Sequence, residues 1–304
     1  FDTNTGADFT IMEEGTELIK RLQENDHLPM ITSCSPGWVR YIEMNYPENL
    51  PHLSSCKSPH EMFGALLKTY YASKQKINPE KIFVVSVMPC IAKKFERQRE
   101  EMKDNGLYDV DAVLTTRELA RMIKQANIEF VELEDEVFDD PMGEATGAAA
   151  IFGVTGGVAE AALRSVSEIM TGKPLEKIEF EEVRGQQGIK RTTIKIGDKE
   201  VKAVIASGLG NAGIIMEEIK SGKADYQFVE IMACPGGCIM GGGQPIKSSK
   251  IRETVNVAKK RSEAMYSIDE RSTIRLSHKN PVLQKIYQEF LGEPGGHLAH
   301  ELLH

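Results

Sequence analysis

A cysteine- and glycine-rich segment that directly follows an apolar stretch constrains this chain more than any other feature. Residues 234–245 read CPGGCIMGGGQP and come after residues 226–232, which are predicted to form a strand. An ordinary turn needs one or two glycines, whereas this segment has five, and glycine lets the backbone approach another group closely. Two thiols in such a segment, at a strand end, therefore indicate a site that holds a bulky bound group.

Two more cysteines follow predicted strands in the same way. Cys90 comes after residues 82–88, a continuous apolar run typical of a strand that is buried on both faces of a parallel sheet. Cys34 comes after the predicted strand 28–33 and stands just before a Pro-Gly turn. Because the carboxyl ends of parallel strands meet at one edge of a sheet, we expect these thiols to converge with the pair in the glycine-rich segment.

Thiolates that converge from separate loops are typical of an iron–sulfur cluster. Structural zinc is the alternative, although zinc sites usually draw on C-x2-4-C pairs, and this chain has one C-x3-C pair and scattered thiols. Lys93, three residues after Cys90, is placed to stabilise a thiolate or another anion. Cys90 by itself is equally consistent with an inert buried thiol. The residues thus indicate a thiolate-ligated metal centre and no particular reaction.

The composition excludes several classes of function. The chain has 304 residues, 41% of them hydrophobic, which suits one large domain or two lobes around a shared site. It carries 37 basic and 45 acidic side chains, a net charge of −8 that argues against binding nucleic acid. No apolar run is long enough to cross a bilayer. Five cysteines without a secretory segment indicate reduced thiols, so we expect a cytoplasmic protein with no membrane insertion.

Apolar strands alternate with helices along the chain, which predicts an α/β class with largely parallel sheets. The longest predicted helices are residues 8–25, 59–73 and 159–170. Three further strands are predicted, of which the last two form a hairpin with its turn at 197–198: residues 178–184, 192–196 and 200–207. A C-terminal helix is predicted to begin near Pro281 and to break at residues 292–296.

Three segments together resemble the signature loops of the [FeFe]-hydrogenase catalytic domain. Residues 32–38 (TSCSPGW) resemble the family's T-S-C-C-P-G-W, and residues 88–96 (MPCIAKKFE) match its M-P-C-x-x-K-x-x-E. Residues 230–245 match E-x-M-A-C-x-x-G-C-x-x-G-G-G-x-P. The resemblance extends over nearly the whole chain, including IFGVTGGV at 151–158 and the ending AHELLH. It implies an α/β fold with two lobes of twisted, mostly parallel sheet flanked by helices, and a metal cluster in the cleft between the lobes.

The resemblance implies a cofactor and its ligands. In this family the H-cluster joins a [4Fe–4S] cluster to a diiron subcluster with CO, cyanide and azadithiolate, and it interconverts H2, protons and electrons. By motif, Cys90, Cys234 and Cys238 are implied to bind the cluster, with Cys238 bridging to the diiron part. Lys93 is implied to hydrogen-bond a cyanide ligand. Four further residues are implied to line the diiron site: Pro59, His60, Met88 and Met232.

The resemblance also implies a proton relay that begins at the thiol of Cys34, next to the azadithiolate. The relay is implied to continue through Glu14, Ser54, Glu17 and Arg21. Glu14, Glu17 and Arg21 occupy helical positions i, i+3 and i+7 and therefore share one helix face. Without the resemblance, such a row is typical of an ordinary solvated charge stripe.

Two positions depart from the family pattern. Ser35 stands where the family has a cysteine ligand, and this leaves three alternatives: Ser35 binds iron as an alkoxide, Cys34 replaces it as the ligand, or the cluster is altered. If Cys34 binds iron, the thiol relay is lost. His60 stands where relatives commonly carry glutamine near the diiron site. It tunes hydrogen bonding, titrates near neutral pH, or is a satisfied polar neighbour. Cys56 is interpreted as a packed thiol.

We expect residues 1–304 to form a hydrogenase catalytic domain that lacks its upstream segment. Its approximate lobes are 1–140 and 141–304, with a C-terminal segment that packs across both. Because the chain starts at Phe1 without an initiator methionine, we expect a fragment or a subunit, and a periplasmic location stays open. The implied partners are H2 and protons, an electron carrier such as ferredoxin or a ferredoxin-like module or subunit, and maturation proteins. The alternative is a non-catalytic sensory or iron–sulfur assembly relative with the same fold.

Overall fold

The computed structural model describes residues 1–139, 142, 144–175, 177, 179–185, 188–196 and 199–304. The predicted hairpin turn at residues 197–198 and the predicted lobe boundary at residues 140–141 lie outside the described residues. None of the helices in the described ranges is both long enough and apolar enough to cross a membrane.

The strands form two sheets and a short antiparallel ribbon. In chain order they are β1 (Met30–Ile31), β2 (Val85–Met88), β3 (Lys103–Asp104), β4 (Leu107–Tyr108), β5 (Ala112–Thr115), β6 (Ile189–Ile196), β7 (Lys199–Ser207) and β8 (Phe228–Met232). The larger sheet has the order β1-β8-β7-β6, in which β1, β8 and β7 are parallel and β6 is antiparallel to β7. β2 and β5 form a parallel pair, and β3 and β4 form the ribbon. The predicted α/β class with mostly parallel sheets is confirmed.

Helices surround both sheets. In chain order they are α1 (Asn4–Glu24), α2 (Pro36–Asn45), α3 (Pro59–Leu66), α4 (Ala72–Gln75), α5 (Lys93–Glu96), α6 (Thr116–Gln125), α7 (Gly147–Ala150), α8 (Gly157–Thr171), α9 (Leu209–Lys220), α10 (Ser249–Thr254), α11 (Val257–Arg271), α12 (Pro281–Ile286) and α13 (His297–Leu303). A π-helical turn, Leu67–Tyr71, joins α3 to α4. The predicted helix 59–73 is therefore one continuous element.

The strand β8 of the larger sheet is buried on both faces, and this holds its carboxyl end in place. Every residue of β8 is buried. Successive side chains of a strand point to opposite faces, so Phe228 packs with Leu18 of α1 and Leu163 of α8, whereas Val229 packs with Trp38 of α2. Full burial of one such apolar side chain contributes about 1.5–3 kcal/mol. The loop that follows β8 therefore starts from a rigid support.

The smaller sheet corrects one prediction, because residues 82–88 do not form a strand that is buried on both faces. The strand is limited to Val85–Met88, and within it Val85 and Val87 are 47% and 39% exposed while Ser86 is buried. β2 pairs with β5 alone among the described residues. The rest of the described chain covers only the face that carries Ser86, so the apolar run marks a half-exposed strand.

A second correction concerns the strand predicted at residues 178–184. In its described part, Glu181–Val183 is a short 3-10 turn. Val183 is fully buried and packs into the core beside the larger sheet. Its carbonyl lies so close to Gly156 that a Cβ at that glycine would be 2.1 Å from the oxygen. The bend places Val183 in the core instead of pairing it with a strand.

The C-terminal segment packs against helices from the beginning of the chain. Leu283 of α12 and Leu302 of α13 share one apolar cluster with Phe9 of α1 and Phe63 of α3. The predicted break near residue 292 is present, because Gly292 has a φ of +86° and separates the end of the α12 segment from α13. This packing secures the N-terminal half of α1.

Candidate metal centre

Three loops bring cysteines from different strand ends to one place. Cys34, Cys90 and Cys234 each stand two or three residues beyond the carboxyl end of a parallel strand, namely β1, β2 and β8. All of the cysteines are free thiols. Between the loops lies a cavity of about 560 Å³. Seven of the predicted site residues line it: Cys34, Pro59, His60, Met88, Cys90, Lys93 and Cys238.

Two other predicted residues lie next to this cavity. Met232 is 2% exposed, and its apolar cluster packs against Cys34 and Cys238. Ser35 lies beside the loop after β8, because the backbone N–H of Ala233 donates to Ser35 Oγ at 3.4 Å. The serine oxygen is therefore close to the residue that precedes Cys234.

The glycines of the third loop allow backbone segments to touch. Gly237 has a φ of +92°, and a Cβ there would lie 2.7 Å from the carbonyl oxygen of Gly153. A Cβ on Gly241 would lie 2.4 Å from the carbonyl oxygen of Pro89, and the N–H of Gly243 donates to the same oxygen at 2.7 Å. These contacts fix the loop after β8 against the loop after β2. The glycines thus hold two thiol-bearing loops together.

The thiols of Cys34, Cys234 and Cys238 keep their protons until a metal replaces them. Burial raises the pKa of Cys238 to about 12, and the charge of Cys90 acts in the same direction. Burial is also the largest cause that raises the pKa of Cys34 and of Cys234. Since only the thiolate is a metal ligand, metal binding here releases protons. Several sulfur donors around one cavity fit an iron–sulfur centre.

Lys93 is a buried cation in the wall of the cavity. Its ammonium donates to Glu96 Oε2 at 2.7 Å and to the carbonyl oxygen of Cys34 at 3.0 Å. Burial lowers the pKa of Lys93, but the charge and hydrogen bond of Glu96, together with the nearby Cys90 and Cys34, outweigh burial and the pKa is raised. An ammonium has three N–H donors, and two of them have acceptors among the described residues. The third is left for an acceptor in the cavity.

His60 has both ring nitrogens engaged by protein side chains. Its Nδ1 lies 3.1 Å from Ser86 Oγ, and its Nε2 lies 2.7 Å from Glu96 Oε2. The side chain is also buried. These contacts favour the satisfied polar neighbour over a histidine that hydrogen-bonds a group in the cavity.

The predicted relay residues on α1 form a connected row. Ser54 Oγ donates to Glu17 Oε2 at 2.8 Å, and Arg21 Nη2 donates to Glu17 Oε1 at 2.6 Å. Arg21 also donates to the carbonyl oxygen of Leu53 at 2.7 Å. The row is therefore held by hydrogen bonds to the segment between α2 and α3, unlike a solvated charge stripe.

Glu14 connects this row to the first cysteine loop. The backbone N–H of Ser33, the residue before Cys34, donates to Glu14 Oε1 at 3.3 Å. Burial raises the pKa of Glu14 to about 8, and the charge of Glu17 adds to the effect while the Ser33 hydrogen bond opposes it. The charge of Glu14 in turn contributes, after burial, to the raised pKa of Cys34.

A second network on α1 was not predicted. The buried Glu13 accepts a hydrogen bond from the Tyr287 hydroxyl and one from the N–H of Gly295, and its Oε2 lies 3.0 Å from His304 Nε2. His304 Nδ1 lies 3.8 Å from the Sγ of Cys56, which is buried as predicted. The histidine-containing ending was visible in the sequence, but nothing in it identified Glu13 as the partner.

The convergent strand ends and the thiol-lined cavity define the class of protein, an α/β protein whose metal centre is bound by cysteines. Residues 1–242 match the family described as the iron only hydrogenase large subunit, C-terminal domain, and residues 255–304 match the iron hydrogenase small subunit. The chain belongs to the iron-only hydrogenase family, which confirms the resemblance seen in its sequence.

Two curated relatives and one solved structure are similar to this chain. Iron hydrogenase 1 of Clostridium pasteurianum is 49% identical over 304 residues, which are 100% of this chain and 53% of that protein. The periplasmic [Fe] hydrogenase large subunit of Nitratidesulfovibrio vulgaris is 52% identical over 248 residues, 81% of this chain and 59% of that protein. A variant of [FeFe]-hydrogenase HydA1 from Chlamydomonas reinhardtii superposes with a TM-score of 0.85 at 42% identity, covering 100% of this chain and 83% of that one. The chain thus spans between half and two thirds of the length of these curated relatives.

Proposed function

We propose that this chain is the catalytic domain of an [FeFe]-hydrogenase, which oxidises H2 reversibly to protons and electrons at an H-cluster. The observation that carries the proposal is the single cavity lined by Cys34, Cys90 and Cys238 together with the buried ammonium of Lys93. Thiols are donors for iron, and the ammonium has an N–H to spare for an anionic ligand. The family of the chain supports the same activity.

In this proposal Cys90, Cys234 and Cys238 hold the [4Fe–4S] part, and Cys238 also contacts the diiron part. The H-cluster, when bound, supplies the redox centre at which H2 is split or formed. The fourth ligand is Ser35, with Cys34 as the substitute. Ser35 is supported by its position beside the loop that carries Cys234.

Other residues of the cavity wall shape the surroundings of the bound group. Lys93 holds an anionic ligand with its remaining N–H and stays charged because Glu96 compensates for its burial. Met88 and Met232 exclude water with polarizable apolar side chains. Pro59, the first residue of α3, forms part of the same wall.

The residues on α1 carry protons between this cavity and the surface. We assign the first transfer to the Cys34 thiol and Glu14, the next to Ser54 and Glu17, and the outer end to Arg21. Proton transfer is efficient when the pKa of the group lies near the working pH. Burial raises the pKa of Glu14 to about 8, which supports its place in the relay.

A non-catalytic sensory or iron–sulfur assembly relative is the second candidate, because Ser35 occupies the place of a cysteine ligand. It predicts one [4Fe–4S] cluster without a diiron site. The hydrogen-bonded row of Ser54, Glu17 and Arg21 favours the enzyme, since it supplies polar groups that can pass protons. A structural zinc protein predicts zinc and no iron.

The deciding experiment is anaerobic maturation of the chain with the diiron cofactor. We expect infrared bands from bound CO and cyanide, and H2 evolution from a reduced viologen. Cys56→Ser, which changes a thiol outside the cavity, is the matched control and should retain both. A protein fully loaded with iron that lacks these bands contradicts the proposal and favours the assembly relative.

The partners, the location and the domain limits belong to the same proposal. We infer that a ferredoxin or a ferredoxin-like module or subunit exchanges electrons with the cluster and that maturation proteins deliver the diiron part. We place the chain in the cytoplasm, with the periplasm as the alternative because one similar hydrogenase is periplasmic. We further propose that residues 1–304 form a catalytic domain with approximate lobes 1–140 and 141–304 and a C-terminal segment across both.

A further inference from the structure

Four ionisable side chains are buried together beside the cavity. They are His60 and Glu61 at the start of α3 and Lys93 and Glu96 of α5, with exposed fractions of 3%, 0%, 7% and 3%. Burying unbalanced charge is costly, so the members of such a group normally compensate one another. Lys93 has a place in the proposed function, whereas His60 and Glu61 require an explanation of their own.

Glu96 is the centre of this group. Its Oε2 accepts from Ser58 Oγ at 2.9 Å and from Lys93 Nζ at 2.7 Å, and it lies 2.7 Å from His60 Nε2. Burial raises the pKa of Glu96, but the charges and hydrogen bonds of Lys93 and His60 together outweigh burial and lower it to about 2. Glu96 is therefore an anion, and a ring nitrogen at 2.7 Å from an anionic oxygen must carry a proton. Nε2 of His60 is a donor.

Glu61 places a second carboxyl group next to the same nitrogen. Its Oε1 lies 3.1 Å from His60 Nε2. Within the described ranges neither oxygen of Glu61 has an aligned hydrogen bond, although the side chain is fully buried. A buried carboxylate without hydrogen bonds needs a cation in contact. The start of α3 favours an acidic residue in its first turn, and the imidazole is the cation within reach.

The charges balance in only one state of the ring when both carboxylates are ionised. With a neutral imidazole, the group holds one positive charge on Lys93 and two negative charges on Glu61 and Glu96, so a net negative charge is buried. With an imidazolium, it holds two charges of each sign. The proton on Nδ1 then points at the hydroxyl of Ser86, at 3.1 Å, which can accept it.

We propose that His60 is held as an imidazolium between Glu61 and Glu96, and that it is a positioning residue which keeps Glu96 aligned on the Lys93 ammonium at the cavity wall. The groups that face His60 are Glu61 from its own helix, Glu96 and Lys93 from α5, and Ser86 from β2. Burial and the Lys93 charge lower the pKa of His60, but the nearby carboxyl groups of Glu61 and Glu96 together outweigh them and the pKa is raised. The presence of this buried charged group does not depend on the proposed function. Its effect on a bound cofactor does rest on the proposed function.

The test is a pH titration of the metal-free protein by NMR with 15N-labelled histidine. The chain has 7 histidines, and His60→Gln identifies the signal of His60 by its absence. In the unmutated protein we expect His60 to remain an imidazolium at pH 7. Glu61→Gln should shift its midpoint to lower pH, whereas Ser86→Ala, which removes a neutral partner, should shift it much less. A neutral His60 at pH 7 in the unmutated protein overturns the proposal, and the only variant that this reading requires is His60→Gln, which supplies the assignment.

The positioning role has its own measurement. Lysine ammonium signals are visible by NMR when buried hydrogen bonds slow their exchange, so we expect such a signal for Lys93, lost in Lys93→Arg. It should broaden in Glu61→Gln and persist in Ser86→Ala. A Lys93 signal that is equally sharp in Glu61→Gln overturns the positioning role. If the matured protein shows no CO or cyanide bands, the proposed function fails. The NMR measurements on the metal-free protein still test the charge state of His60 and its positioning role.

Discussion

The cysteine-lined cavity and the carboxylate row on α1 are both buried and polar, but they differ in how completely the protein satisfies their polar atoms. In the row, Glu17 accepts hydrogen bonds from Arg21 and Ser54, and the backbone N–H of Ser55 donates to it as well. In the cavity, the thiols are free and the Lys93 ammonium has an N–H without an acceptor among the described residues.

This difference in hydrogen-bond satisfaction indicates that the cavity and the row on α1 have different functions. Buried polar groups are satisfied in nearly all folded proteins, so a cluster with spare donors and free thiols is built to receive a ligand. A row whose hydrogen bonds are already made is built to hold charge and pass protons. Changes in the cavity should therefore remove the cofactor, whereas changes in the row should leave the cofactor in place and slow the reaction.

The largest effect is expected from Cys238→Ala. This change removes a sulfur donor that no neighbouring side chain replaces, so nearly all iron should be lost after anaerobic reconstitution, and with it all H2 evolution. Iron and sulfide content per chain is the measurement. Cys56→Ala serves as the control with an unchanged iron content. Retention of a full cluster by Cys238→Ala would place the ligands elsewhere.

Glu17→Gln tests the role of the carboxylate row on α1. The amide keeps the size of the side chain but removes the proton carrier, and we expect H2 evolution to fall by about 100-fold. Iron content and infrared bands should stay as in the unmutated protein. Glu24→Gln changes an exposed carboxylate on the same helix and should have no effect. Full activity in Glu17→Gln would remove Glu17 from the relay.

A pH effect on stability should mark Glu14. Its pKa is raised by burial from 4.5 to about 8, so between these values the folded state keeps a proton that the unfolded state releases. The stabilisation is fully present below about pH 4.5. As pH rises it is lost at about 1 kcal/mol per pH unit, and the loss stops above about pH 8. Urea unfolding of the metal-free protein at pH 5.5 and 8 measures this loss.

Glu14→Gln is the matched variant for that measurement. Glu230, whose pKa burial raises to about 7, adds a loss in the same direction, so only the difference between the two proteins reports on Glu14. We expect a shallower pH dependence in the variant. Identical slopes in both proteins would mean that Glu14 has an ordinary pKa and is a poor relay group near neutral pH.

The smallest effect is expected from Ser35→Cys. If Ser35 is the fourth ligand, a thiolate in its place binds iron more strongly, so cluster occupancy should rise modestly and the EPR signal of the cluster should change. Ser73→Cys adds a thiol at an exposed site and should do neither. An unchanged occupancy and EPR signal in Ser35→Cys would indicate that Cys34 or another group already fills the position.

Features that depend on neighbours in the chain were predicted well. The predicted helices 8–25 and 159–170 correspond to α1 and α8, which carry their apolar residues at helical spacing. Thr115 forms a reciprocal capping box with Glu118 at the start of α6, an arrangement that a Thr-x-x-Glu pattern indicates locally. The positions of the thiols beyond strand ends were likewise readable, since turns and glycines are local signals.

Features that depend on distant residues were not predicted. The exposure of Val85 depends on which elements cover β2, and the burial of Val183 depends on Gly156. The partner of Glu13 is His304, which lies 291 positions away. No pattern within a short window carries such information.

The sequence by itself determined that thiols and glycines stand at the ends of apolar strands, because strand, turn and backbone freedom are properties of short segments. Tertiary structure alone decided which polar groups are satisfied and which are left open. In the folded protein both ring nitrogens of His60 contact side chains, and Glu17 accepts hydrogen bonds from its neighbours. Lys93 keeps one N–H that can donate into the cavity. The physical reason is that burial and hydrogen-bond partners, and hence charge states, are set by residues that meet only when the chain folds.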